Sequence, residues 1–325
     1  MEKDQVPLVS VVITVRNAEA YISETLDSLL QEREVPIEIV LVDNGCTDST
    51  VEKALAFKDN RIRIIEGPKK GIAHALNVAY ANVRGEIVMR CDGDDLFPPG
   101  RIKQQVRWLE AHPEFGAICG RFSSIDSQGK PLIDFLTERK PEEITEELHT
   151  GEIRTHIGTF AIRTDVIRAA GGSREYFNCF EDFDFQLRLS ETCRIWFEPE
   201  PYYIYRIHAT SSTHSASNVV REFLQEQAFR FQVQRRTEGS DDLQRGCPPP
   251  VPEHTYKSPR DTAEHLQDLL IAGAWMEHRI GNKKQALFKG LNAVLALPTS
   301  LKGWHNLLFL VLKRAGTQKD EELLT

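Results

Sequence analysis

A near-continuous run of apolar, mostly β-branched residues near the N-terminus, residues 9–15, constrains the fold of this chain more than any other feature. Such a run is typical of a parallel strand that is covered on both faces, because a strand with one wet face would alternate apolar and polar residues. Similar short runs occur at residues 37–42, 62–65 and 86–89, and segments with helical spacing lie between them. This alternation predicts an α/β fold with an open, mostly parallel central sheet and flanking helices.

Beyond residue 100 the pattern becomes mixed and then helical. In the mixed region we expect helices at 102–111 and 181–190 and short strands near 117–121, 159–163 and 195–198. A turn or hairpin tip is expected at 123–131. Residues 219–234 and 262–313 have helical periodicity, and the segment between them, about 239–260, is rich in proline, glycine and charge. We therefore predict a main α/β domain over residues 1–215 and a helical C-terminal region over 216–325 that contains this linker.

Charge and apolar content limit the partners and the location of the protein. The formal net charge is -8 at pH 7, and an acidic surface repels phosphate backbones, so nucleic acid is not expected as a partner. The six cysteines include no Cys-x-x-Cys pair, which favours reduced packing thiols in a cytoplasmic protein. Residues 1–7 lack the apolar centre of a signal peptide, and the apolar run at 307–312 is too short to cross a bilayer. Peripheral membrane contact stays open.

Polar turns follow three of the predicted parallel strands. These turns are residues 14–17, 43–45 and 92–95. In open α/β sheets ligands bind in the crevice at the carboxyl ends of the strands. We therefore expect the three turns to meet around one ligand.

The turn after the fourth predicted strand has the sequence Asp92-Gly93-Asp94-Asp95. Like charges this close raise one another's pKa unless a cation neutralises them. A hard divalent ion such as Mg²⁺ or Mn²⁺ would accept carboxylate oxygens and leave coordination positions for phosphate. Gly93 would allow backbone torsions that a larger residue resists. A solvated acidic turn explains the same residues, so the motif alone leaves both interpretations open.

Four other residues in the first half of the chain have a functional and an ordinary interpretation. Asp43 could bind a base edge or a ribose hydroxyl, or could form a turn. Gly71 opens a helix after a lysine pair, where the helix N-terminus could approach phosphate, and Asn77 on that helix could reach the crevice. An ordinary loop and helix start would have the same residues. His156 is ambiguous in the same way.

Two later segments carry candidate acid–base and phosphate-binding groups. Glu181 and Asp182 lie in an alternating apolar segment, where a carboxylate could act as general base on a sugar hydroxyl. A helix N-terminus also favours acidic residues there, and Asp184 is a second candidate. Arg206 and His208 precede a serine-rich segment, residues 211–213, and could clamp a diphosphate or belong to a surface turn.

The order and spacing of these segments resemble glycosyltransferase family 2. The resemblance is carried by residues 10–17, 42–48, 71–77 and 92–95, by Glu181-Asp182 and by Arg206-x-His208, and it covers about the first two thirds of the chain. It implies a GT-A, Rossmann-like fold with a nucleotide-binding half at about 1–100 and an acceptor half at about 101–215. It further implies a hexosyltransferase-type reaction, with inversion, from a nucleotide-sugar donor, usually UDP-linked, to a hydroxyl acceptor such as a glycan.

The same resemblance implies a role for each candidate residue. Those expected around the nucleotide base are Thr14, Val15, Arg16, Asn17 and Asp43. Further donor contacts are expected from Gly71, Asn77, Arg206 and His208. The residues expected to face ribose, diphosphate and a Mn²⁺ or Mg²⁺ ion are Asp92, Gly93 and Asp94, with Asp95 as an alternative metal ligand. Asp182 would be the catalytic base in the pair with Glu181.

Two other functions share parts of this pattern. A nucleotidyltransferase also needs acidic residues and a metal, but a glycine-rich basic signature would normally follow its first strand, where this chain has Val15-Arg16-Asn17. A non-catalytic scaffold that binds nucleotide sugars could use the same fold. The acidic turn and Asp182 argue against the scaffold.

Overall fold

The structure, a computed structural model, describes residues 8–134, 140–178, 180–208, 218–252, 262–279 and 281–315. The predictions that concern residues 1–7, Cys179, the serine-rich segment at 211–213 and the linker beyond residue 252 lie outside the described residues. Within the described residues the chain forms two compact units. The first contains residues 8–122, 140–205 and 218–252, and the second contains 123–134, 206–208 and 262–315, with the gaps just given.

The described strands form one sheet in the order β3-β2-β1-β4-β8-β5-β9-β7, and β6 pairs with the end of β5. Their bounds are β1 Val9–Val15, β2 Ile37–Asp43, β3 Ile62–Glu66, β4 Ile87–Arg90, β5 Ala117–Ile125, β6 Pro131–Asp134, β7 Glu142–Glu143, β8 Ala161–Arg163 and β9 Ile195–Arg206. Strands β1 to β4 pair in parallel, with Val15 opposite Asp43. The antiparallel part begins where β8 pairs with β4.

Helices connect and flank these strands. Their bounds are α1 Ile22–Leu30, α2 Thr50–Ala56, α3 Ile72–Asn82, α4 Arg101–Ala111, α5 Thr145–His149, α6 Thr164–Ala169, α7 Glu181–Thr192, α8 Asn218–Glu238, α9 Thr262–Arg279, α10 Lys283–Ala296 and α11 Leu301–Leu312. Short 3-10 helices lie at Ile157–Thr159 and Glu175–Phe177. Helix α8 belongs to the first unit, and α9 to α11 belong to the second. The predicted domain boundary at residue 215 stays a prediction.

Strand β1 is covered on both faces, as its continuous apolar sequence predicts. Ile13 faces a core shared with Leu26 of α1 and Val106 of α4. Val12, which points to the opposite face, packs with a second core that includes Ala79 of α3. The predicted α/β sheet with flanking helices is therefore confirmed.

The second half of the chain departs from the predicted element bounds. Strand β9 runs from Ile195 to Arg206, far beyond the expected end at residue 198. Strand β5 continues to Ile125, so the hairpin turn is confined to residues 126–130 and β6 follows it. The turn is held by Asp126, whose carboxylate accepts the backbone N–H of Lys130 at 2.9 Å. Among the residues that the structure describes, no helix has the length and apolarity that a bilayer crossing requires.

Asp184 stabilises the start of α7 as a fully buried ion-pair partner, so its position does not suit a catalytic base. It binds the guanidinium groups of Arg174 and Arg188, and the Arg188 Nε lies 2.9 Å from its Oδ2. Burial acts to raise the pKa of Asp184, but the two arginines hold it below its usual value. Arg174 also pairs with buried Asp241 at 2.5 Å, which ties α7 to the segment after α8.

Substitution Asp184→Asn is expected to destabilise the first unit strongly. The buried Arg188 and the half-buried Arg174 would each lose a carboxylate partner, and breaking a buried ion pair costs about 3–5 kcal/mol. Urea denaturation followed by circular dichroism measures the change. Glu34→Gln, which removes an exposed partner of Lys103, is the control and should leave the urea midpoint unchanged. Equal midpoints for Asp184→Asn and the wild type would contradict this structural role.

Candidate active site

The three polar turns meet at the carboxyl ends of β1, β2 and β4, as predicted. The carbonyl of Val15 accepts the backbone N–H of Asn44 at 2.8 Å, which joins the ends of β1 and β2. Gly93 of the acidic turn packs against the end of β1, where an added Cβ would lie 2.5 Å from the Val15 Cγ1 atom. Only a glycine therefore lets the acidic turn approach β1 this closely.

The residues expected around a nucleotide base tie the first two turns together. The Asn17 side-chain oxygen accepts the backbone N–H of Thr47 at 2.8 Å, and Asn17 has a positive φ of 59°. The Asp43 carboxylate accepts the N–H groups of Gly45 and Cys46, at 3.1 and 2.7 Å. Burial acts to raise the pKa of Asp43, but these hydrogen bonds hold it below its usual value. Thr14 is half-buried and Arg16 is exposed at the same edge of the sheet.

The contacts of Gly71 and Asn77 explain why a glycine and an asparagine stand at these two positions. Gly71 has a φ of 104°, and an added Cβ would lie 2.2 Å from the side-chain amide of Asn178. The Asn77 carboxamide bonds the backbone of Ser173 twice, once as donor and once as acceptor, both at 2.8 Å. Asn77 thus fastens α3 to the loop before α7, and its expected contact with the donor stays a prediction.

The acidic turn divides into an internal and an accessible part. Asp95 is fully buried, and its Oδ2 accepts the Tyr203 hydroxyl at 2.7 Å. That hydroxyl in turn accepts the backbone N–H of Asp92 at 3.0 Å. Asp95 is therefore used to shape the turn, which does not suit the alternative role of metal ligand. Asp92 and Asp94 are half-buried and are the two carboxylates of the turn that a ligand could reach.

Arg90 brings the acidic turn together with the start of α7. Its Nε lies 2.9 Å from Asp92 Oδ1, and its Nη1 lies 3.0 Å from Glu181 Oε1. The two carboxylates are far apart in the sequence, so this bridge creates the site. Arg90 was missed at the sequence level. The signal was its position two residues before Asp92, which places both side chains on the same side of an extended chain.

The electrostatics of this cluster give its carboxylates different protonation behaviour. Burial raises the pKa of Glu181 to about 7, Arg90 opposes this rise and the neighbouring Asp182 adds to it. Burial also acts to raise the pKa of Asp92, but Arg90 holds it below its usual value. Asp92 therefore stays ionised near neutral pH while Glu181 is poised to titrate.

His156 lies beside these carboxylates. Its Nδ1 accepts the backbone N–H of Gly158 at 3.0 Å, and its ring stacks on Tyr203 with centroids 5.1 Å apart. Burial lowers its pKa, although Asp92 and Asp182 act in the opposite direction. The ring is therefore neutral near pH 7, with its proton on Nε2. Asp182 itself is half-buried and accepts the backbone N–H of Phe183 at 2.9 Å.

Arg206 and His208 lie in the second unit. Arg206 ends β9 and is almost fully buried, and its Nη1 donates to the carbonyl of Asp126 at 3.4 Å. His208 is buried as well. Their expected contacts with a diphosphate stay predictions.

The accessible acidic residues fit a divalent metal in part. Among the described residues, no group of three or more His, Cys, Asp or Glu side chains is arranged to hold a metal ion. Mg²⁺, however, is commonly bound by one or two carboxylates together with substrate phosphates and water, and does not need an all-protein cage. Asp92 and Asp94 can supply such a partial set of ligands.

Comparison with known proteins gives the family. Residues 10–179 match the family described as Glycosyl transferase family 2. An uncharacterized glycosyltransferase from Rickettsia prowazekii (strain Madrid E) is 28% identical over 225 residues, which are 67% of this chain and 69% of that protein. The hyaluronan synthase of Pasteurella multocida is 28% identical over 190 residues, which are 58% of this chain and 19% of that protein.

Solved structures share the fold. The structure of S. aureus TarS 1-349 in complex with UDP-GlcNAc has a TM-score of 0.56 and 18% identity, and the match covers 93% of this chain and 90% of TarS. The mannosyltransferase PcManGT from Pyrobaculum calidifontis, in complex with GDP-Man and Mn2+, has a TM-score of 0.50 and 19% identity, with coverages of 94% and 79%. The predicted GT-A fold is confirmed by these likenesses.

The chain thus has a GT-A sheet with carboxylates gathered at the carboxyl ends of its strands, where ligands bind in open α/β folds. The chain belongs to glycosyl transferase family 2, because the family match covers more than half of its length. The predicted family and the predicted class of enzyme are thus confirmed. Nucleotidyl transfer and a purely binding role lose their support.

The raised pKa of Glu181 predicts a pH-dependent stability. Below its ordinary pKa of 4.5 the group is protonated in both states, and between this pH and about 7 only the unfolded chain ionises. The free energy of unfolding therefore falls as the pH rises through this window, by at most about 3 kcal/mol from this group. Glu181→Gln lacks the titrating group but keeps an oxygen for Arg90. The free energy of unfolding of this variant should therefore fall less than that of the wild type over the same pH range. Urea denaturation at several pH values tests this, and parallel profiles would contradict it.

Proposed function

We propose that this protein is an inverting glycosyltransferase that uses a nucleoside-diphosphate sugar, with Asp182 as the catalytic base. The observation that carries the proposal is the Arg90 bridge, which joins Asp92 after β4 to Glu181 at the start of α7. The bridge brings Asp182 into the electrostatic environment of the acidic turn. A donor bound at the strand ends would therefore lie close to a carboxylate that faces the acceptor.

The proposed reaction is a direct displacement. Asp182 accepts the proton of the acceptor hydroxyl, and the hydroxyl oxygen forms a bond to the anomeric carbon of the sugar. The bond between that carbon and the diphosphate oxygen breaks, and the nucleoside diphosphate leaves with the electron pair. The configuration at the anomeric carbon is inverted because attack and departure occur on opposite faces. The Asp182 carboxylate is half-buried, so it can meet an acceptor without being sealed from it.

Glu181 and Arg90 act as positioning residues in this proposal. Arg90 bonds both Asp92 and Glu181, and therefore fixes the helix start that carries Asp182. A Glu181 group with a pKa of about 7 can carry the negative charge or the proton near neutral pH. When Glu181 is protonated, the start of α7 carries one negative charge fewer beside Arg90.

A divalent cation fits the charge of the site. The acidic turn and α7 together present an excess of carboxylates, and this excess would repel a diphosphate. Asp92 and Asp94 would hold a Mn²⁺ or Mg²⁺ ion. When bound, the ion supplies positive charge that offsets the negative charge of the leaving diphosphate.

We propose the chemical class of the donor and of the acceptor. TarS has been solved with UDP-GlcNAc and PcManGT with GDP-Man and Mn2+, so both nucleotides occur on this fold. We propose a UDP-linked donor, as is usual in the family, and a glycan hydroxyl as acceptor, and the presence of a hyaluronan synthase among the similar proteins supports a glycan product. The five described cysteines carry free thiols, which supports a cytoplasmic location.

Substitution Asp182→Asn should lower the rate of transfer by about 10²–10⁴-fold, because an amide cannot accept the proton. The rate of nucleoside-diphosphate release from the best-binding nucleotide sugar measures the effect. Asp165→Asn is a matched control, since Asp165 also accepts the N–H of the next residue in the first turn of a helix, at 2.9 Å. Unchanged turnover in a folded Asp182→Asn protein would exclude Asp182 as the base.

Thermal stabilisation tests the donor and the metal without requiring the acceptor. UDP with Mn²⁺ should raise the melting temperature of the wild-type protein more than UDP alone, and EDTA should remove the difference. Asp94→Asn should lose most of the Mn²⁺-dependent rise in melting temperature, whereas Asp165→Asn should keep this rise. A response to GDP with Mn²⁺ alone would replace UDP by GDP in the proposal. An absence of any nucleotide response would argue against the proposed donor site.

A further inference from the structure

Helices α10 and α11 expose an unusual amount of apolar surface. Twelve large apolar side chains are exposed in the described part of the chain, and nine of them lie on these two helices, with exposed fractions from 46% to 73%. They are Phe288, Leu291, Leu295, Leu301, Trp304, Leu308, Phe309, Val311 and Leu312. These nine residues define the outer apolar face of the second unit. Contiguous exposed apolar surface of this kind marks an interaction site.

The helical spacing places the exposed apolar residues of each helix largely on one side. On α10, Phe288, Leu291 and Leu295 are separated by three and four residues, so they share one side of the helix. On α11, Leu301, Leu308 and Leu312 also share one side.

The opposite side of α11 is already occupied within the second unit. Gly303 and Leu310 are buried, and an added Cβ at Gly290 of α10 would lie 2.8 Å from the Leu310 Cδ1 atom. Helix α11 therefore has apolar side chains on its outer side as well as its inner side, and its polar residues are Lys302, His305 and Asn306. Exposed apolar surface of this extent ordinarily contacts another molecule or lipid.

The segment that contains the outer apolar face is rich in cations, although the protein as a whole is acidic, and one of these cations, Lys289, is paired with Glu277 of α9 at 2.7 Å. Residues 278–315 include five lysines and two arginines and no aspartate or glutamate, in a chain with a formal net charge of -8. Lys284 is exposed one helical turn before Phe288, on the same side of α10. Lys302 is largely exposed beside the face, with a carboxylate partner in Asp268 of α9 at 2.7 Å.

We propose that the outer apolar face of α10 and α11 docks onto a bilayer that contains anionic lipid. Apolar and aromatic side chains flanked by lysine and arginine are typical of helices that lie in a membrane interface, where the apolar side enters the acyl boundary and the cations meet anionic head groups. A second copy of this chain fits less well, because a symmetric dimer would bring together two surfaces that both carry net positive charge. The proposal concerns a different surface from the candidate active site and does not rest on the proposed function.

The test is vesicle binding by the full-length protein in the absence of donor and acceptor. Flotation with vesicles of phosphatidylcholine and about 30% phosphatidylglycerol should carry the protein upward, and pure phosphatidylcholine vesicles should carry much less. Added salt should weaken the binding, because it screens the attraction between lysines and lipid. Tryptophan emission should shift to shorter wavelength on binding, and Trp304→Phe should lose most of that shift.

Two variants and a control separate docking from general effects. Leu308→Glu should lower the affinity for anionic vesicles about tenfold or more, since it replaces a buried apolar contact by a charge. Lys284→Glu should lower it by changing charge alone. Leu55→Glu is the matched control, because Leu55 on α2 is exposed to a similar degree, 61%, outside the second unit.

Three outcomes would overturn the proposal. One is the absence of binding to anionic vesicles, and another is equal binding to both kinds of vesicle. The third is a wild-type dimer in light scattering that Leu308→Glu converts to a monomer, which would assign the face to a second copy. Circular dichroism of each variant establishes that the helices are intact.

Discussion

The Arg90 guanidinium is the interaction on which the candidate active site depends. It binds Asp92 and Glu181, which lie on two elements that are far apart in the sequence. The ion pairs are strong in this setting, because the side chains are mostly buried and screened poorly by water. With Arg90 in place, the end of β4 and the start of α7 can lie side by side. The donor side and the acceptor side of the proposed reaction therefore depend on one cation.

A second set of contacts fixes the direction in which the acidic turn presents its carboxylates. The Tyr203 hydroxyl of β9 donates to Asp95 and accepts the N–H of Asp92, and Gly93 packs between them against Val15. One carboxylate of the turn is thus held inside the protein. The two others are left at the crevice, so the same short sequence supplies both the internal support and the accessible ligands.

The sequence predicted the strands and helices of the first hundred residues well, because doubly covered strands need continuous apolar runs that are visible without any partner. The meeting of the three turns followed from the rule for parallel sheets. The contacts of Arg90 with Glu181 and of Tyr203 with Asp95 could not be found in this way, since these partners lie 91 and 108 residues apart. The role of Asp184 could not be predicted either, because an acidic residue at the start of a helix can be a buried ion-pair partner or a catalytic base, and the sequence does not distinguish the two.

The candidate active site and the outer apolar face require partners of opposite charge. The candidate active site carries more negative than positive charge, and a diphosphate can enter it only with additional cations. The outer face of α10 and α11 carries apolar area and positive charge, and the rest of the second unit does not cover it. Neither demand is met within the described residues. Both are met if the protein binds a metal–nucleotide complex at one surface and an anionic bilayer at the other, and the two bindings can be measured independently because no residue is shared between the surfaces.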